Sequence, residues 1–371
     1  MSFKEFPSNG DYTTIAKNLT AFISDSDIKS GKPQYSKTRR LISYAGGYSK
    51  VFPVQILNRK IALRFWTANI EGSQKRYQEI EKYLKEKNIS YFVGFNYHYN
   101  GLNWKNSKYP FISMDWVEGK TLNRYLDENI ADSHKMVRLA ESFLEMVQVL
   151  HQHSIAHGDL QDGNILVIED GSDIELKLID YDSVFVPDLK NFTIEIIGVE
   201  SYQHPKKNNM KKLNEKIDYF SELVIYLSLI SYAEDSSLWK NGQEQKLLFD
   251  MKDFKNTLKS KIFNKLKTAG FSSQIVELTL KLEDYCARQS IDELEPLEEN
   301  IKDKFKEITK IFGKIKSTKN RSITQIIDND KMDRSINDMK QIFSTIRKSR
   351  GKVDTKEVDD EFTSAIKRMK G

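Results

Sequence analysis

Apolar positions change their spacing partway along the 371-residue chain. Between residues 41 and 66, β-branched and aromatic residues dominate. Three antiparallel strands are predicted at 41–44, 49–57 and 60–66, with turns at Gly46-Gly47 and Asn58-Arg59. A helix follows over 71–87, with Tyr77, Ile80, Tyr83 and Leu84 on one face. Two more strands are expected at 91–99 and 109–116, joined by a turn at Asn100-Gly101. From Gly119 onward the spacing is helical: a short helix at 122–128, then a long one at 133–153 carrying Leu139, Phe143, Met146, Val147 and Leu150 on its stripe. Short apolar runs at 165–167 and 176–179 interrupt it as strands. Residues 217–233 are apolar all round and read as a buried helix, and 245–300 read as helical. Residues 1–38 are polar and turn-rich, with one amphipathic stretch at 12–22. The pattern is that of an α+β protein: a small β-rich lobe with one helix at 39–117, then a mainly helical lobe at 118–300. Residues 1–38 stand as an N-terminal extension and 301–371 as a C-terminal one, in which Lys, Ser, Asp and Asn dilute the apolar positions.

Composition narrows the class. Hydrophobic residues make up 39% of the chain, enough for a sizeable core. No run of eighteen apolar residues exists, so no membrane span is expected, and residues 1–12 lack an apolar signal core. A single cysteine excludes an internal disulfide framework and a cysteine-rich zinc site. A cytoplasmic protein is expected. The net charge of +5 is uneven: residues 301–371 carry 19 Lys/Arg against 11 Asp/Glu, leaving 39 basic and 42 acidic residues in 1–300. The basic tail is read as a solvated helix or linker, with nucleic-acid binding the weaker expectation.

The chemistry concentrates at HGDLQDGN, residues 157–164, followed by the Asp of LID at 178–180. Transfer of a phosphoryl group from ATP needs a carboxylate to orient the attacking hydroxyl, and an Asn and a second Asp to hold Mg²⁺. Asp159 fits the first role, and Asn164 and Asp180 the other two. Short strands bracket the segment, where such a loop must sit. His157 reads as a packed structural residue. Asp182 reads as a turn cap in preference to a further metal-facing carboxylate, and Tyr181 as the filler of an apolar slot.

The first lobe offers the matching half. YAGGYSKV at 44–51 is a glycine-bearing turn in which Gly46 and Gly47 permit close approach of backbone amides to phosphates. Arg64, in ALR at 62–64, stands where a phosphate-contacting cation is expected, and its counter-ion would be Glu79 or Glu81 of the following helix, Glu79 being favoured. Around 114–119, the Asp115 carbonyl and the Val117 amide, next to Met114, would face an adenine edge, while Val51, Ala62 and Leu166 would sandwich the ring. Asp218 opens the buried helix as a backbone-binding or dipole-facing carboxylate.

These segments together, ALR at 62–64, RYQEI at 76–80, SMDWVEG at 113–119, AHGDLQDGN at 156–164, IDYDSVFVP at 179–187 and SYQHP at 201–205, resemble a bacterial branch of the protein kinase-like superfamily, over residues 10 to 300. The resemblance implies a bilobal kinase fold, ATP and Mg²⁺ as ligands, and phosphorylation of Ser/Thr hydroxyls, with autophosphorylation as one outcome. It makes Arg64, Gly158 and Gln161, at positions that commonly hold Lys, Arg and Lys, features of the branch. Departures are Ser183 in place of a Gly, and Tyr48-Ser49 where the branch shows Phe-Ala. Two alternatives share the motifs: a pseudokinase that binds ATP as a signalling scaffold, and a small-molecule phosphotransferase of the aminoglycoside or choline kinase type. Gly198, the His204-Pro205 pair and Asp218 belong to peptide-docking architecture and favour the protein kinase. The protein substrate is left unnamed by the sequence.

Overall fold

In a computed structural model, residues 5–45, 49–68, 72–171, 173–192, 198–206, 214–242 and 246–301 are described. The tail read as basic and helical, and Gly46 and Gly47, lie outside these residues.

The first lobe is a six-stranded antiparallel sheet. Strands β1 (Lys32–Pro33), β2 (Tyr44–Ala45), β3 (Ser49–Ile56), β4 (Arg59–Trp66), β5 (Phe95–Trp104) and β6 (Ser107–Asp115) run in the order β1-β3-β4-β6-β5, with β2 also on β3. Between β4 and β5 lies helix α3 (Ser73–Lys87). Phe52, Val54 and Ile56 of β3, Ile61, Leu63 and Phe65 of β4, and Tyr109 and Phe111 of β6 join one hydrophobic core.

That core is closed by the N-terminal segment. Helix α1 (Asn9–Lys17), started by a capping box of Ser8 and Asp11, leads into α2 (Leu19–Phe22). Tyr12, Ile15, Ala16 and Leu19, at helical spacing, are buried in the same cluster. Tyr12 stacks on Phe65 at 5.0 Å and donates its hydroxyl to the Trp66 carbonyl. The described part of the segment read as an extension is therefore a layer of the lobe. It explains why β4 is buried over its last six residues without alternation. Ile61, Leu63 and Phe65 meet this layer, while Ala62, Arg64 and Trp66 point to the opposite face.

The turn expected at Asn100-Gly101 lies inside β5. The chain reverses instead at Lys105 and Asn106, both with positive φ (47° and 62°), as a two-residue hairpin requires. Gly101 marks a register shift between His98 and Leu102, and a Cβ there would stand 2.3 Å from the Phe111 ring. This glycine serves close packing within a strand and not a reversal.

The second lobe begins with β7 (Lys120–Thr121) and α4 (Leu122–Asn129), followed by α5 (Ser133–Gln152). Strands β8 (Ile165–Asp170) and β9 (Asp173–Leu178) form a small sheet with β7 in the order β7-β8-β9. Helix α6 (Tyr219–Glu234) is buried on nearly all sides, as its uniformly apolar sequence requires. Short helices α7 (Met251–Lys255) and α8 (Lys261–Leu266) and the longer α9 (Ser273–Ala287) complete the lobe. The part read as helical from sequence, 245–300, is built of these helices joined by short turns.

One charged cluster is built into the helical lobe. His151, in the last turn of α5, has Nε2 3.0 Å from Glu222 of α6 and Nδ1 2.9 Å from Glu298. Burial pushes the Glu222 carboxyl up to about 7, against the pull of His151. Burial alone would lower the His151 pKa, but Glu222 and Glu298 outweigh it and raise it to about 10. Both groups titrate above their ordinary values, so their stabilisation is complete at low pH and declines as pH rises: from 4.5 to about 7 for Glu222 and from 6.5 to about 10 for His151. Thermal stability is expected to fall between pH 7 and 10, and less steeply in His151→Gln. At pH 8, His151→Leu should cost about 1–3 kcal/mol, because Glu222 loses its partner and takes up a proton to stay buried. The double variant His151→Leu/Glu222→Leu should recover most of that loss. Denaturant unfolding of the parent and both variants provides the check, and equal stability of parent and His151→Leu would show that the cluster contributes nothing.

Candidate active site

The site lies where the two lobes meet, and its geometry starts from a backbone-binding carboxylate. Asp218, immediately before α6, is 1% exposed. It accepts hydrogen bonds from the amides of His157 and Gly158, the latter at 2.9 Å to Oδ1. Those amides belong to the loop between α5 and β8, so a carboxylate in the lobe core fixes the path of residues 157–164. His157 is fully buried and donates Nε2–H to the Ile179 carbonyl at 2.9 Å, which ties this loop to the segment after β9. Gly158 has φ of +78°, and a Cβ would lie 2.2 Å from the Ser183 carbonyl oxygen.

Asp159 emerges from this frame. Its Oδ2 accepts from Asn164 Nδ2 at 3.1 Å and from Gln161 Nε2 at 3.3 Å, and its Oδ1 accepts from the Val199 amide at 3.2 Å. An ionised carboxylate has about four acceptor positions. Three are taken by protein donors, which set the plane of the group and leave room for one more donor. Gln161 thus supplies a neutral hydrogen bond to Asp159. Asn164 spends its amide nitrogen on the Asp159 carbonyl and carboxylate. Among the described residues its Oδ1 has no protein partner. The Asn164 carbonyl also accepts from Ile179 N at 3.0 Å, which places Asn164 beside Asp180.

Asp180 has φ of +73°, a sparsely populated conformation that a non-glycine residue holds only where its surroundings impose it. Its Oδ1 accepts from the amide of Asp182 at 3.2 Å, a local side-chain turn. The side chain is 38% exposed.

From the first lobe comes Arg64, which is 4% exposed. Its Nε donates to Ser49 Oγ at 3.1 Å and its Nη1 to the Tyr77 hydroxyl at 3.3 Å. Nη1 lies 2.9 Å from Asp180 Oδ1, and Nη2 donates to Asp180 Oδ2 at 3.2 Å and to Asp182 Oδ2. Burial opposes the Arg64 charge, but Asp180 and Asp182 together raise its pKa further above the ordinary value. Burial pushes the Asp182 carboxyl up from its usual range while Arg64 pulls it down and Asp180 pushes with burial. Glu79, the residue favoured from sequence as the partner of Arg64, is half-buried on α3 and makes no ion pair with it. Glu81 pairs with Lys85. Asp182 is not a turn cap: it is buried against Arg64, Tyr77 and Trp66. Tyr181 fills an apolar slot, 4.5 Å from the Phe95 ring.

The adenine side is framed by strands. Ala62 pairs with Met114, and Leu166 with Thr121. Val51 and Leu166 are half-buried, while Ala62 and Met114 are buried. Asp115 ends β6, its amide bonded to the Gly94 carbonyl at 2.9 Å. Among the described residues the Val117 amide makes no backbone hydrogen bond. Beside it, Lys60 Nζ sits 4.0 Å from the Trp116 ring centroid and 3.0 Å from Glu118.

A carboxylate, an amide oxygen and a second carboxylate thus stand along one loop and the next strand end, the set of groups that phosphoryl transfer from ATP requires. Residues 45–334, more than three quarters of the chain, match the protein kinase domain family. The chain belongs to the protein kinase family. The match runs past residue 300, where the sequence had suggested the helical lobe ends, and starts after α1 and α2. The chain is 23% identical over 257 residues to the interferon-induced, double-stranded RNA-activated protein kinase of Rattus norvegicus, covering 63% of this chain and 49% of that protein. It is 24% identical over 232 residues to the probable serine/threonine-protein kinase kinY of Dictyostelium discoideum, covering 56% of this chain and 38% of the other. It is 26% identical over 141 residues to the serine/threonine-protein kinase PknL of Mycobacterium tuberculosis, covering 36% and 35%. The chain spans about half or less of the length of these relatives. Family membership implies ATP and a divalent cation in general. No helix among the described residues is long and apolar enough to cross a membrane.

Gly158→Ala is expected to destabilise the protein by about 1–3 kcal/mol, because the left-handed backbone and the carbonyl of Ser183 both refuse a Cβ. Thermal unfolding checks this, and a variant that melts with the parent would show that the loop shifts freely.

Proposed function

We propose that the protein is an atypical serine/threonine protein kinase that transfers the γ-phosphoryl group of Mg·ATP to protein hydroxyls, its own included. The observation that carries this reading is the Asp159 carboxylate, oriented by three protein donors with one acceptor position open, next to an Asn164 oxygen that has no partner among the described residues. A magnesium ion fits the donor set. Both candidate ligands, Asn164 Oδ1 and the Asp180 carboxylate, are hard oxygens, and magnesium is held by one or two such groups together with phosphate oxygens. The described residues contain no cluster of three or more His, Cys, Asp or Glu side chains that would form an all-protein cage. When bound, the ion neutralises charge on the phosphate oxygens.

The roles of the protein's own residues follow. Asp159 accepts a hydrogen bond from the acceptor hydroxyl, steers its lone pair toward the γ-phosphorus and takes the proton as the new P–O bond forms, while the bond from the γ-phosphorus to the β,γ-bridging oxygen breaks and ADP leaves with that electron pair. Val199 holds Asp159 from the segment that ends in Ser201, Tyr202, Gln203 and His204, so docking of a peptide there is coupled to the orientation of the base. Arg64 directs its charge at the phosphates, and Ala62, Met114, Val51 and Leu166 offer apolar surface to the adenine, with the Asp115 carbonyl and Val117 amide at its edge.

Mg²⁺-dependent ATP binding is expected, and a calorimetric titration without heat up to millimolar Mg·ATP would remove the reading. Asp159→Ala should lower phosphoryl transfer by about 10²–10⁴-fold while sparing ATP affinity. Transfer from γ-labelled ATP to the chain itself, to generic proteins and to small amines measures both the rate and the acceptor class. A parent that binds ATP and transfers to none of them is a pseudokinase, and transfer to small amines alone would make it a small-molecule phosphotransferase. Arg64→Ala should weaken ATP far more than adenosine, and equal weakening of both would limit Arg64 to a structural part.

A further inference from the structure

We propose that Asp182, and not a glutamate of α3, is the positioning residue that holds Arg64 for the phosphates of ATP; the inference rests on the kinase reading above. In protein kinases the cation of the third strand is held by a glutamate of the following helix. Here α3 presents Glu79 and Glu81 elsewhere, and the helix reaches the cation through the neutral hydroxyl of Tyr77.

The hydrogen bonds around Arg64 divide its two carboxylate partners. A guanidinium has five N–H donors. In Arg64 four hydrogen bonds go to Ser49, Tyr77, Asp180 and Asp182, and Nη1 also lies in ion-pair contact with Asp180 Oδ1 at 2.9 Å. All three guanidinium nitrogens are engaged, and a phosphate takes the place of one of these partners. Asp180 is the partner that can exchange, since its side chain is 38% exposed and it is the candidate metal ligand. Asp182 cannot leave at comparable cost. Its side chain is 6% exposed, and its Oδ1 is occupied by the Tyr77 hydroxyl and by Trp66 Nε1 at 3.4 Å. Uncoupling a buried charge pair leaves a charge without water or counter-ion. Thus Asp182 is the fixed anchor, and Asp180 holds the donors that ATP and its cation free.

The anchor is itself supported from outside the family match. Trp66, which donates to Asp182, has its carbonyl held by the hydroxyl of Tyr12 in α1. Because Asp182 lies two residues after Asp180 on one turn, the cation and the metal ligand move as a unit. A swing of α3 would break a phenol hydrogen bond, not an ion pair.

The test is calorimetry on the full chain with Mg·ATP and with adenosine. Asp182→Asn keeps the shape and the Oδ1 acceptor for Tyr77 and Trp66 and removes the charge. It should weaken Mg·ATP by about 10–100-fold, the range for losing a group that orients a ligand-binding residue, with adenosine little changed. Glu79→Gln should not reproduce that split. In an Arg64→Met background, Asp182→Asn should produce no further loss, because Asp182 acts through Arg64. That double variant contains no unpaired buried charge, so it serves even if Asp182→Asn alone does not fold. If Asp182→Asn binds ATP and adenosine in the parent's ratio, or Glu79→Gln gives the split instead, the proposal fails and the kinase reading stands. A further loss in the Arg64→Met background would place Asp182 directly on the nucleotide or cation and overturn the positioning role. A parent that binds no Mg·ATP removes the kinase reading and the proposal with it.

Discussion

A buried guanidinium sets the terms for the centre of this molecule. Removing a full charge from water is affordable only where opposite charge and hydrogen-bond acceptors surround it. Arg64 sits in the fourth strand with almost no solvent contact. Ser49 of the third strand, Tyr77 of the long helix in the first lobe, and Asp180 and Asp182 beyond the last strand must converge on it. Four separate pieces of chain, three in the first lobe and one in the second, are thereby placed relative to one another by the desolvation of a single side chain. Packing alone would not do this, since apolar contacts tolerate sliding and a five-donor group does not.

The second lobe answers with its own buried charge. Asp218 stands immediately before the most hydrophobic helix among the described residues and binds two amides of the loop that carries Asp159. The loop that carries Asp159 is thus irregular but not loose: a carboxylate in the core does the work that a ladder of strand hydrogen bonds does elsewhere. The two devices meet at Ile179, whose carbonyl accepts from His157 and whose amide bonds to Asn164.

Much of the site was legible because its groups are close in sequence. Asp159, Gln161 and Asn164 share one turn, and a five-residue interval cannot be met except by a tight loop. The bilobal α+β division was legible from the change of spacing near Gly119. The partner of Arg64 was not. Glu79 and Asp182 are both acidic and both at plausible distances along the chain, and only the rotation of the helix and the twist of the strand decide which one reaches the guanidinium. Tyr77 was visible as an apolar helix position, but its hydroxyl carries no sequence signal that it would lie on a carboxylate. Gly101 read as a turn, since a glycine after an asparagine marks a reversal as readily as a close approach. Its real neighbour, the Phe111 ring, comes from the next strand.

The sequence by itself determined which residues could do chemistry and which segments were strand or helix. Those properties follow from local spacing and from the functional groups themselves. It also showed that residues 12–22 have one apolar face. What that face meets was a tertiary matter: Tyr12, Ile15, Ala16 and Leu19 close the far side of the sheet, which turns an apparent extension into part of the lobe. The choice of Asp182 over Glu79 was tertiary for the same reason. Desolvation and charge pairing depend on distances through space between side chains more than a hundred positions apart, and no periodicity along the chain encodes them.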